Sequence, residues 1–293
     1  MRRSISIGNL FLAALLTTPA LAQIPTPPDA PPIPDQKTVA KDAALNPALP
    51  TVFIVGDSTA RNGADLGWGD HFAPLFDTTK INVANRAVAG RSSRTYYNEG
   101  RWDKLLAEMK PGDFVLLQWG HNDGGSNAGN IAADPKTRGS IHSLGDETAT
   151  LSIKTPYTTG PLAGQTTETI HTFGWYMRKY IADTRAKGAT PILLTPTVRN
   201  IWANGQIEHD MGFGDFYRQL SKSENVPLAD MAALESAYLQ KLGPEKTAGL
   251  FPVDHTHTSP VGAEMNAQSV VTALKIANSP LVQYLAPVIG PTK

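Results

Sequence analysis

From Val52 onward the chain keeps repeating one hydropathy pattern, a short and nearly unbroken apolar run followed by a longer amphipathic stretch. The runs are "TVFIVG", "INVANRAV", "DFVLLQWG", "TPILLTP" and the weaker "VPLAD". A strand with one face in water alternates apolar and polar residues, whereas one that is apolar throughout has both faces covered. Covering both faces takes helices, and parallel strands need connections long enough to contain them. The pattern therefore predicts an α/β chain with a central parallel sheet. Between the runs, "TETIHTFGWYMRKYIADTRAKGA" predicts a helix with Ile170, Phe173, Met177, Ile181 and Thr184 on one face and Gly188 as its left-handed cap. A last helix is predicted to start at "SPVGAEM", where Ser259 can cap free amides and Pro260 has no N–H to lose. Residues 124–165 break the alternation; they are rich in Gly, Ser and Thr, and "TATLSIKT" reads as one arm of a small hairpin.

The ends of the chain differ from this body. "MRRSISIGNLFLAALLTTPALAQ" combines two arginines, an apolar stretch short for a bilayer, and a small-residue cleavage pattern, so residues 1–22 are expected to be a secretory signal cut after Ala22. The rival reading, a membrane anchor, lacks a following stop-transfer pattern, and no stable membrane insertion is expected. Closely spaced prolines make residues 23–50 an extended linker, leaving 51–293 as the folded domain. A secreted or periplasmic protein without cysteines must hold together by its core, which 293 residues at 41% hydrophobic content can supply. Net charge is zero and basic residues do not cluster, so nothing predicts a nucleic-acid partner or an anionic membrane surface.

Open parallel sheets bind ligands beyond the carboxyl ends of their strands. There stand "GDSTA", "AGRSSR" and "GHNDGG", which offer the Ser58 hydroxyl, the unobstructed Gly90 N–H and the Asn122 amide: one candidate nucleophile and two candidate oxyanion donors. A serine attacks a carbonyl at neutral pH only when a base takes its proton and a carboxylate orients that base. "DHTH" can supply both, with Asp254 accepting from His257 Nδ1 while Nε2 faces Ser58 and His255 points elsewhere. Plainer roles compete at each position: Ser58 as a helix cap, Asn122 as a turn brace, Gly90 as a tight turn. A zinc site built from Asp254, His255 and His257 also competes, although no HExxH or second histidine cluster accompanies it.

In order along the chain, "IVGDSTA", "AVAGRSSR", "QWGHND" and "DHTHTSPVGA" resemble the four blocks of the SGNH, or GDSL, hydrolases, over roughly residues 51–278. "QWGHND", "HTFGWYMRKYIADTRAKGATPILLTP" and "DHTHTSP" further resemble the rhamnogalacturonan acetylesterase branch. The resemblance implies a three-layer α/β/α flavodoxin-like sandwich, no cofactor and no metal, and a serine esterase acting on an acetylated polysaccharide. It implies Ser58 as nucleophile, His257 as base and Asp254 as its orienter, with the Ser58 and Gly90 N–H groups and the Asn122 side chain as the oxyanion hole. Arg91, Trp119 and His121 are expected to contact substrate, and Arg61, Arg94 and Arg199 are further candidates for meeting uronate carboxylates. The alternatives are an acetylxylan or other glycan esterase, a lipase or thioesterase of the same superfamily, and a non-catalytic glycan-binding module. GxSxG is absent, which argues against the other common α/β serine-hydrolase elbow.

Overall fold

A computed structural model describes residues 44–63, 65–124, 138–153 and 157–287; the expected signal segment and most of the proline-rich stretch lie outside these residues. The strands are β1 (Thr51–Val55), β2 (Asn82–Asn85), β3 (Phe114–Leu117), β4 (Ala149–Ser152), β5 (Thr167–Ile170), β6 (Thr190–Leu194), β7 (Trp202–Ala203), β8 (Gln206–Ile207) and β9 (Leu228–Ala229). The α-helices are α1 (Ser93–Asn98), α2 (Arg101–Glu108), α3 (Phe173–Ala186), α4 (Gly214–Glu224), α5 (Met231–Leu242), α6 (Pro244–Ala248) and α7 (Pro260–Ile276).

The five apolar runs form one sheet in the order β2-β1-β3-β6-β9, and every pair in it is parallel. The period of two along each strand explains why the runs are apolar throughout. Phe53, Val55, Val115, Leu117 and Leu193 pack on one face with Trp102, Tyr176 and Tyr217 from α2, α3 and α4. Val52, Ile54, Leu116, Ile192 and Leu194 pack on the other with Trp68, Met231 of α5, and Val270 of α7. Each such side chain, removed from water, contributes about 1.5–3 kcal/mol, and both layers are needed to cover the sheet. The result is the expected three-layer α/β/α sandwich.

The sheet order reverses at β1: the chain leaves it for β2 on one side and returns for β3 on the other. This opens a crevice at the carboxyl ends of β1 and β3, where Ser58 and Asn122 follow.

Two local expectations change. Ile170 does not start the long helix; Thr167–Ile170 pairs antiparallel with Ala149–Ser152, and Ile170 is buried with Ile141 and Leu151. The helix starts at Phe173, because Thr172 is extended and its hydroxyl accepts from Trp175 N–H at 3.1 Å. The other four predicted face residues, Phe173, Met177, Ile181 and Thr184, are buried as expected, and Gly188 has φ +70°. The second strand ends at Asn85 instead of running on to Val88, because the Asn85 side chain turns the chain, accepting from Ala87 N–H at 3.2 Å and donating to Ala60 O at 2.9 Å.

Candidate active site

Ser58 follows β1 on a turn that only a glycine can open. A Cβ on Gly56 would lie 2.7 Å from the backbone oxygen of Gln118, so a side chain there would push β1 and β3 apart. The next carboxylate, Asp57, turns inward: Oδ1 accepts from Thr59 N–H and Oγ1, both at 2.8 Å, while buried Oδ2 has no partner among the described residues. Burial, against those hydrogen bonds, pushes Asp57 up to about 6. The Gln118 side chain ties the strand ends together, accepting from Trp68 Nε1 at 2.8 Å and donating to Thr195 O at 3.0 Å.

Opposite stands the loop ahead of α7. Ser259 caps that helix by accepting from Gly262 N–H at 3.3 Å, and Pro260 occupies its first turn. Asp254 Oδ1 accepts from the N–H groups of Thr256, at 2.7 Å, and His257, at 2.8 Å, which folds the short DxxH loop back on itself. Its Oδ2 lies 2.7 Å from His257 Nδ1, and His257 Nε2 lies 2.8 Å from Ser58 Oγ. An ionised carboxylate can only accept, so Nδ1 carries the ring proton and Nε2 faces the hydroxyl as an acceptor. Burial alone would raise Asp254, but the His257 side-chain bond and the two N–H bonds outweigh it and bring Asp254 down to about 2. His255 is exposed and contributes its backbone oxygen to Asn200 N–H at 2.7 Å, so the two histidines of "DHTH" have separate roles.

Gly90 has φ +78°, a backbone that side chains rarely adopt. Among the described residues, no group accepts the N–H of Ser58 or Gly90. Asn122 Nδ2 spends one hydrogen on Arg91 O at 3.1 Å, holding the turn that carries Gly90; its amide has a second hydrogen. Behind it, buried Asp123 accepts from Ser93 Oγ at 2.5 Å and Ser140 Oγ at 2.8 Å. Burial, opposed by these bonds, pushes Asp123 up to about 6. Beside it Arg94 and Glu168 form an ion pair at 2.6 Å, both buried. The Ser140 contact ties the 124–165 segment, and the Arg94–Glu168 pair ties β5, to the region of the strand ends.

The expected substrate contacts fare differently. Trp119 is fully buried, stacked on Tyr180 with ring centroids 4.5 Å apart, and so belongs to the core rather than to a sugar-binding surface. Arg91 is held by Glu99 at 3.0 Å, Arg94 by Glu168, and Arg199 by Glu208, so none of the three offers a guanidinium without a carboxylate already on it. Arg61 Nη1 donates to Asn85 O at 2.6 Å. His121 faces Thr197 Oγ1 through Nε2 at 2.9 Å, while its Nδ1 is buried without a partner among the described residues. Burial, then the positive charge of Arg199, brings His121 down to about 3, so its ring is neutral in ordinary buffers. Sequence reasoning missed Gln118, Asp123 and Arg138 at this site. The first two lie in the "QWGHND" block, where Asn122 alone was given a role, and Arg138 is brought in from a segment distant in sequence.

The model of the GDSL-like Lipase/Acylhydrolase family matches residues 54–265, most of the chain and all of the groups just described. The chain belongs to this family. It is a hydrolase of carboxylic esters, and the resemblance read from its four blocks holds. Similar relatives include a rhamnogalacturonan acetylesterase from Emericella nidulans, 29% identical over 76% of this chain and 84% of the relative. Another is the rhamnogalacturonan acetylesterase RhgT of Bacillus subtilis, 28% identical over 80% of this chain and 93% of the relative. Among solved structures, protein YxiM of Bacillus subtilis is 27% identical with a TM-score of 0.60; the match covers 79% of this chain and 58% of that longer one. A variant of an acetyl xylan esterase from Geobacillus stearothermophilus matches at TM-score 0.52 and 16% identity, over 77% of this GDSL-family chain and 94% of the other, and shares the fold.

Proposed function

We propose that this family member is an exported carbohydrate acetylesterase that removes O-acetyl groups from pectic rhamnogalacturonan through an acetyl-serine intermediate. The observation that carries the reading is the unbroken chain Asp254 Oδ2, His257 Nδ1, His257 Nε2, Ser58 Oγ, with links of 2.7 and 2.8 Å. Ser58 Oγ attacks the acetyl carbonyl as its proton passes to His257 Nε2, and the Asp254 carboxylate balances the imidazolium that forms. The N–H groups of Ser58 and Gly90 and the second hydrogen of Asn122 Nδ2 receive the oxyanion, each such donor typically worth about 2.7–4 kcal/mol at the transition state. His257 then gives its proton to the departing sugar oxygen. A water molecule, deprotonated by the same nitrogen, releases acetate and restores Ser58.

The pectic substrate is supported by the two relatives named rhamnogalacturonan acetylesterases, which this chain matches over most of their length. The acetyl xylan esterase likeness lies at the level of fold and lends no weight to xylan. Export rests on the leader and linker read in residues 1–50; among the described residues no helix is long and apolar enough to cross a membrane. The test is acetate release from acetylated rhamnogalacturonan, acetylxylan and esters of longer acids. Wild type is expected to favour the first, and Ser58→Ala to lose at least about 10³-fold in kcat on all of them while unfolding at the wild-type temperature. Undiminished turnover in Ser58→Ala would overturn the mechanism, and a preference for long acyl chains would overturn the substrate.

A further inference from the structure

Arg138 stands apart from the other arginines near the strand ends. Its backbone is fixed: Ser92 Oγ donates to Arg138 O, Arg94 Nη1 donates to Gly139 O at 2.8 Å, and Ser140 Oγ donates to Asp123 at 2.8 Å. Its side chain, exposed, reaches back over the turn that carries Gly90. Nη1 donates to Gly90 O at 3.2 Å and lies 3.1 Å from where a Cβ on Gly90 would sit. That turn is joined to the Ser58 turn, since Val88 N–H donates to Gly56 O at 3.1 Å, and the charge of Arg138 acts on Asp57, the residue before Ser58.

Arg91, Arg94 and Arg199 each already hold a glutamate. Arg138 touches no carboxylate among the described residues; its one hydrogen bond goes to a backbone oxygen, which leaves most of its donor fork unused. A guanidinium with a free planar edge matches the two oxygens of a carboxylate. Rigid backbone anchoring keeps the orienting cost of such a contact low, because only the side chain has to be ordered.

We propose that Arg138 is a specificity-determining residue that binds a uronate carboxylate of the substrate beside the Gly90 turn, and so selects acetyl esters carried on acidic glycan chains over those on neutral ones. This rests on the reading of the protein as an acetylesterase of pectic polysaccharide and assigns the feature of the polymer that it recognises. The contact binds sugar and takes no part in acyl transfer, so it belongs in KM.

The experiment compares three substrates: acetylated rhamnogalacturonan, the same polymer with its uronate carboxyls methyl-esterified, and acetylxylan. Wild type, Arg138→Ala and Arg138→Lys are assayed on each, with kcat and KM separated. Wild type is expected to favour the acidic polymer over its methyl-esterified form by about tenfold or more in kcat/KM, the size of one charge-assisted bond. In Arg138→Ala that preference falls to about one through a rise in KM on the acidic polymer. Arg138→Lys, with a point charge and no planar fork, falls between. Added salt is expected to shrink the wild-type preference and leave the ratio in Arg138→Ala unmoved. A preference that survives in Arg138→Ala overturns the proposal while leaving the pectic reading standing. An equal fall in kcat on all three substrates overturns it too, because Arg138 would then be acting on the oxyanion. If wild type deacetylates acetylxylan but neither pectic polymer, the functional reading itself fails and this inference fails with it.

Discussion

At the scale of single residues, the site depends on polar groups given unequal surroundings. Asp254 is held down to about 2, so it remains an ionised acceptor for His257 Nδ1 in mildly acidic buffer. Asp254→Asn keeps the shape but presents an amide whose N–H₂ can donate to Nδ1, which would move the ring proton to Nε2 and leave that nitrogen unable to accept the Ser58 proton. We expect kcat to fall by about 10³–10⁴ with KM little changed, measured on a small acetate ester; a fall of less than tenfold would remove Asp254 from the mechanism. Ser58, His257 and Asp254 were legible because their chemistry is local to short motifs. Trp119 was misread because a strand end in sequence does not say which way a ring points, and here it points into the layer with Tyr180. Arg138 could not be read at all, since its meaning comes from contacts with Ser92, Arg94 and Gly90 that no spacing rule connects.

At the scale of elements, helix starts place the chemistry. The Ser259 cap and Pro260 set where α7 begins, and the Asx-type fold of Asp254 just ahead of it sets where His257 points. Ser259→Ala is expected to cost about 1 kcal/mol of stability, read in a denaturant titration, and to lower kcat as His257 loses its fixed approach to Ser58. Unchanged kcat together with the stability loss would show that the DxxH loop holds itself. Apolar periodicity was enough to find β1, β2, β3, β6 and β9, because a strand buried on both faces has little else to be. It failed at Ile170, where four residues that continue the helical spacing of α3 instead pair with β4. A capping threonine at 172 was the available signal; "TATLSIKT" does supply one hairpin arm, β4, as expected, and the helical spacing of α3 hid the other, β5.

At the scale of the whole molecule, the sandwich buries acids in its interior, and their titration sets how stability varies with pH. Burial raises Asp57 and Asp123 from 3.8 to about 6 and, against the Val198 N–H bond, Glu235 from 4.5 to about 8. A raised acid holds its proton more tightly folded than unfolded, so its contribution is full below the unfolded value and is lost as pH rises through the folded one. Asp254 acts in the opposite sense, contributing above 3.8 and losing that contribution as pH falls towards about 2. Thermal unfolding is therefore expected to occur at the highest temperature in mildly acidic buffer and to decline towards pH 8. Glu235→Gln is expected to flatten the decline between 4.5 and about 8; an unchanged slope would mean that Glu235 ionises without cost. The fold as a whole was legible because alternation, parallel pairing and a crevice at the strand ends follow from one another. What joins residues 138–153 to that crevice, the Arg94–Glu168 pair and the Asp123 hub, was not, because buried polar partners far apart in sequence leave no periodic trace. The proposed catalysis passes through one covalent event, acetylation of Ser58. Rapid quenching of the enzyme during turnover of an activated aryl acetate, followed by mass mapping of its peptides, is expected to find one acetyl group on Ser58 that forms and decays at the rate of turnover. Turnover with no acetyl at Ser58, or with the acetyl group on another residue, would contradict it.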